Sequence, residues 1–139
     1  MSCSNEHKTK VDQIKIESFK IIIEDDSTSI GTRNRYTLTN NSFEHRYLKD
    51  ELIPNDTVMQ ELYRIEANAK LLKISTYDIK DLKQSDKIAG NSMLLTLIKN
   101  GKSKTVRFDE NPDDFICCVI SYINELSVEK YQLTFNCKK

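Results

Sequence analysis

Histidine and cysteine are the residues of this chain best suited to acid–base or nucleophilic chemistry near neutral pH, and both are scarce. The histidines are His7 and His45. His7 lies in a polar leader where nothing would position it. His45 alternates with Phe43 and Tyr47 along what reads as a strand, and Tyr36 joins them from the strand opposite. A general base needs an oriented partner within hydrogen-bond reach. In this register Glu44 and Arg46 point to the other face, so no partner for His45 is visible, and a packed imidazole is the simpler reading. The sharper reading is a small hydrolase-like enzyme that pairs His45 with a carboxylate or with the thiol of Cys117 or Cys118.

The cysteines are Cys3, Cys117, Cys118 and Cys137, and no pair has the C-x-x-C spacing of zinc or thioredoxin-like sites. On a helical wheel Cys118 borders the apolar side and Cys117 points away. That predicts one packed and one exposed thiol or, in an oxidising compartment, a disulfide from one of them to Cys137. Asp109-x-Asn111-x-Asp113 has the start of a calcium loop. Its sixth and twelfth positions, where glycine and an acid are needed, hold Asp114 and Ile120. A helix start explains it better. The glycines are Gly31, Gly90 and Gly101, which leaves no phosphate-cradling loop or dinucleotide fingerprint. No metal or cofactor is expected, and the chain is read as a non-enzyme.

The elements that would position these residues centre on Ser92–Leu126. Asn100-Gly101 is a type I′ hairpin signal, since both turn residues tolerate positive φ. It sets Leu95 against Val106 and Met93 against Phe108 on one face. The other face, with Leu94, Thr96, Ile98, Ser103, Thr105 and Arg107, reads as partly covered. Asn111-Pro112-Asp113-Asp114 then starts a helix, with Asn111 as cap and Pro112 in the first turn. Phe115, Ile116, Val119, Ile120, Ile123 and Leu126 recur at helical spacing behind it.

Upstream, Gln13–Glu24 reads as a central strand with a bulge near Glu17-Ser18. Arg33–Lys49 reads as a hairpin turning at Asn40-Asn41, with Leu38 opposite Phe43 and Tyr36 opposite His45. Val58, Leu62, Ile65, Ala69 and Leu72 predict a helix over about Asp56–Lys73, opened by a Thr57/Gln60 capping box or capped by Asn55 or Asp56. Ile74–Asn91 reads as a short helix or a crossover, and Tyr131–Lys138 alternates as a final strand or a tail docked as one. The fold class is α+β: an antiparallel sheet of about five to six strands with two helices on one face, in β-ββ-α-ββ-α-β order. Residues 1–10 form a tether and 11–139 a single domain.

Lysine and arginine balance aspartate and glutamate at a formal net charge of zero. Neither a basic excess nor a basic stripe shows in the sequence, which argues against nucleic acid as a partner. No apolar run approaches the ~20 residues of a membrane span. Met1-Ser2-Cys3-Ser4-Asn5 is similar to a bacterial lipoprotein junction, in which Cys3 carries the lipid and Ser4–Lys10 is the tether. The rival is a cytoplasmic protein that begins Met-Ser-Cys.

Ala89–Leu126, about a third of the chain, resembles a segment of small uncharacterised lipoproteins of Bacteroidetes-type bacteria. A Gly-containing turn leads into Ser92-Met93-Leu94-Leu95-Thr96-Leu97, and the helix start Pro112-Asp113-Asp114-Phe115 follows. Where this pattern commonly has Asp-Gly and Trp, this chain has Ala89-Gly90 and Met93 or Leu94. The resemblance implies a cell-envelope location and supplies no catalytic residues.

These readings converge on a non-catalytic module that binds another protein. Arg35, Tyr36, His45, Arg46 and Tyr47 are its candidate contacts, being residue types enriched at interfaces; the alternative is that the tyrosines simply pack on the first helix. One version is an immunity or inhibitor protein that neutralises a toxin or enzyme. An acidic surface would favour that version.

Overall fold

A computed structural model describes residues 15–25, 33–48, 57–84, 92–109, 111–127, 133 and 137. Six strands form one antiparallel sheet: β1 (Phe19–Asp25), β2 (Arg33–Thr39), β3 (Ser42–Leu48), β4 (Thr57–Arg64), β5 (Met93–Lys99) and β6 (Lys102–Phe108). The helices are α1 (Ala69–Ser75) and α2 (Asp114–Leu126), and a single 3-10 turn spans Ile79–Asp81. The architecture is therefore α+β. The spatial order β4-β3-β2-β1-β5-β6 puts the Ile21-Ile22-Ile23 run in the interior of the sheet. Consecutive β-branched residues suit that position because both neighbours constrain the strand.

Both hairpin registers agree with the sequence reading. Leu38 pairs with Phe43 and Tyr36 with His45, while Leu95 pairs with Val106 and Met93 with Phe108. Asn100 and Gly101 adopt φ of 53° and 74°, the left-handed pair that a type I′ turn requires. Alternation then divides the sheet. Phe19, Ile21, Ile23, Leu38, Phe43, Leu95, Leu97, Val106 and Phe108 are buried in one cluster with residues of α1 and α2. The opposite face carries Ile22, Thr37, Thr96 and Thr105 at its middle, half-buried or exposed.

Several expectations are corrected. The long helix over Asp56–Lys73 is replaced by β4, an extended link, and the short α1. The apolar residues of Thr57–Lys73 fit helical spacing, but the helix start lies at Asn68, whose side chain accepts from Leu71 N–H and so caps α1. The segment before it pairs with β3 from Ser42↔Arg64 to Leu48↔Thr57. The element order is thus β-ββ-β-α-ββ-α. At α2 the cap is Asp113, accepting from Ile116 N–H at 2.9 Å, rather than Asn111. β1 starts at Phe19, after residues 15–18 that are not in a strand, so no bulge falls inside it. The tether over 1–10 and most of Tyr131–Lys138 fall outside the described residues. Leu133 and Cys137 are described, and neither is in a strand.

The helices are tied to each other and to the C-terminal segment. Asn68 Nδ2 donates to Tyr122 Oη at 2.9 Å, and Lys70 pairs with Glu125. Asn124 grips the main chain of Leu133 at both its N–H and its C=O, each at 2.7 Å. Cys117 forms a disulfide with Cys137. Cys117 and Cys118 are both buried and both disulfide-bonded, so the exposed thiol expected at Cys117 does not occur.

Candidate functional site

The candidate residues divide between the two faces of the sheet. Tyr36 and His45 face the core, Arg35 and Arg46 face the other way, and Tyr47 takes the register position opposite Asn34, on the His45 side. A single contact surface made of all these residues is therefore excluded by strand alternation.

On the core side His45 is 0% exposed. Its ring stacks on Tyr36 with centroids 4.2 Å apart. Nε2 lies 2.8 Å from the Asn34 side-chain amide, and the tautomer of the imidazole sets the direction of that bond. Nδ1 lies 3.5 Å from Oε2 of Glu61, a residue of β4 only 7% exposed. The Tyr63 hydroxyl donates to the other oxygen of Glu61 at 3.2 Å. Burial pushes the His45 pKa below its ordinary value of 6.5, and the neighbouring Glu61 carboxylate offsets this only in part. Burial, with Asp25 and Glu61 nearby, raises the Tyr36 hydroxyl far above its usual range. The sequence reading missed Glu61 because it placed that residue on a helix. Once β4 is a strand, alternation alone aims Glu61 at His45, its register partner.

This Asn–His–Glu set has the ingredients of an oriented base, but it is enclosed. The nearest analogue of a nucleophile in the sequence reading, Cys117 or Cys118, is disulfide-bonded, and a disulfide sulfur does not act as a thiolate nucleophile. Elsewhere, a cleft of about 580 Å³ opens where the two hairpin tips flank the start of β1. It is lined by Thr39, Asn41, Ser42, Asn100 and Gly101, and its titratable groups are Lys20 and Lys99. Among the described residues no group of three potential metal ligands occurs, and no helix is long and apolar enough to cross a membrane.

The other face is built differently. One row across the sheet runs Gln60, Arg46, Arg35, Glu24, Leu94, Arg107. Arg35 and Arg46 sit directly opposite each other, a like-charge pairing that costs stability. Each is held by a carboxylate: Arg35 Nε to Glu24 at 2.9 Å and Arg46 Nε to Glu44 at 3.2 Å. Lys20, Arg64 and Arg107 add cations on the same side, so cations outnumber carboxylates on this face of a net-neutral chain. Sequence reasoning saw no basic stripe because the row draws one residue from each strand. Leu62 was missed with it: assigned to a helix face, it stands on the open side of β4, 64% exposed.

Compared with protein-family models, curated proteins and solved structures, the chain matches none.

Proposed function

We propose that the chain is a non-catalytic binding module that docks the open, arginine-bearing face of its sheet onto the acidic surface of another protein. The observation that carries this reading is the cross-strand pair Arg35–Arg46, both exposed, on the face of the sheet opposite the core. Two guanidinium groups set opposite each other cost folding stability, which Glu24 and Glu44 offset through one Nε each, whereas a partner's carboxylates would engage the remaining N–H donors of both forks. The enclosure of His45 supports the non-catalytic part of the reading. Because the open face is basic, an inhibitory role would need an acidic target.

The Cys117–Cys137 disulfide supports residence in an oxidising compartment, in keeping with a cell-envelope protein. Lipid attachment at Cys3 belongs to the same reading, and the intact mass of the native protein tests it.

The docking test is a photo-crosslinking residue at Thr37, in the centre of the open face, compared with one at Lys73 on α1, both in the parent organism. A discrete acidic protein crosslinked from Thr37 alone, and lost in an Arg35→Glu/Arg46→Glu variant, is the expected result. Equal yields from both positions would rule the face out.

A further inference from the structure

We infer that the outer edge of β4 pairs with the same edge of a second copy of this chain, so that two sheets join into one. The sheet has two edges, and they are built differently. β6 carries Lys102, Lys104 and Arg107, all exposed, and Gln84 Oε1 accepts the main-chain N–H of Arg107 at 3.4 Å. Charged side chains and a covering segment are how natural sheets prevent unwanted edge pairing.

β4 carries no lysine. Its charged residues are Glu61 and Arg64. Glu61 turns inward to His45, and Arg64 stands at the last position of the strand. Leu62, at 64%, and Tyr63, at 39%, are the exposed large hydrophobic residues among those described. β4 runs for 8 residues with β3 as its one neighbour in the sheet. A terminal strand of this kind is a template for another strand.

The residue pattern selects a second copy as the occupant. In an antiparallel pair related by a two-fold axis through the sheet, opposed residues lie on the same face. An axis at Leu62 sets that side chain against its own counterpart, Arg64 against the second copy's Gln60, and Glu61 against the second copy's Tyr63. No like charges meet. An axis at Glu61 would set two carboxylates against each other, and one at Tyr63 would set Leu62 against Arg64. The strand is thus self-complementary about its most exposed apolar residue. In that dimer the open faces of both sheets would become one surface.

Sedimentation equilibrium of the full disulfide-bonded chain at tens of micromolar, paired with hydrogen exchange, tests the inference. A dimer is expected, with β4 amides that exchange more slowly as concentration rises while β6 amides do not change. Leu62→Lys is expected to weaken dimerisation at least about tenfold with the circular dichroism spectrum unchanged, since the side chain is exposed. A monomeric chain at these concentrations, a dimer indifferent to Leu62→Lys, or concentration-dependent protection confined to elements other than β4 would each overturn it.

Discussion

The core face of the sheet has two unlike halves. Along β1, β5 and β6 its buried positions are Phe19, Ile21, Ile23, Met93, Leu95, Leu97, Val106 and Phe108, without a polar atom in any side chain. Across β2, β3 and β4 the same face buries Tyr36, His45 and Glu61, linked to Asn34 and Tyr63. One half depends on volume. The other depends on partners and on where protons sit, because a buried polar group is tolerated only when its hydrogen-bonding capacity is met.

Substitution should expose that contrast. Phe108→Ala removes a fully buried ring from the apolar half. It is expected to lower unfolding free energy by about 3–5 kcal/mol, read as a shifted urea midpoint. In the polar half, Glu61→Ala takes the carboxylate away from the buried His45 Nδ1, at an expected cost of about 1–3 kcal/mol. His45→Phe/Glu61→Leu replaces both partners by apolar groups and should cost less than the two single changes added together. A double variant that costs their full sum would show that the two residues act independently and would remove the basis of the comparison.

Acid should likewise act on one half. Burial holds folded His45 below its ordinary pKa of 6.5, so as pH falls the unfolded chain binds the proton first. The stability from a neutral His45 is complete above about pH 6.5 and declines below it, down to the folded-state pKa. Groups facing the imidazole are Glu61 from β4 and Tyr36 from β2, with Asp25 of β1 accepting the Asn34 main-chain N–H at 2.8 Å. Urea midpoints between about pH 7.5 and 5.5 should fall in the wild-type chain and flatten in His45→Phe/Glu61→Leu. Equal slopes would move the acid sensitivity elsewhere.

The apolar half was also the legible half. Asn100-Gly101 and the alternation around it specify β5 and β6, and the Phe115-to-Leu126 periodicity specifies α2, because local signal and final environment agree there. The polar half was read only as far as β3. Val58, Leu62 and Ile65 fit a helical stripe as well as a strand, and pairing to β3 decided the matter, which is a non-local contact. With β4 misassigned, Glu61 could not be seen beside His45, nor Leu62 on a terminal strand. The Arg35–Arg46 juxtaposition was implicit in the hairpin register. The full basic row was not, since it needs the order of all the strands in the sheet.

The two hairpin tips carry the comparison down to single residues. Between β5 and β6 the backbone itself is specialised, with Asn100 and Gly101 at positive φ. Between β2 and β3 neither Asn40 nor Asn41 adopts positive φ. That tip is fastened by side chains instead: Thr39 Oγ1 lies 2.7 Å from Ser42 Oγ, and Asn41 N–H donates to Thr39 Oγ1 at 3.3 Å. Gly101→Ala places a Cβ where no atom lies within 4 Å, so steric crowding is not its cost. What remains is the left-handed backbone at φ +74°, expected to cost about 1–2 kcal/mol. Asn41→Gly, at a position that asks for no such backbone, should bring no gain and should lose the bond that Thr39 Oγ1 donates to Asn41 Oδ1 at 3.2 Å. Thermal unfolding of the two variants beside wild type should therefore rank Gly101→Ala as the more damaging. The reverse ranking would mean that the side-chain fastening, not the turn geometry, is the stronger constraint on register in this sheet.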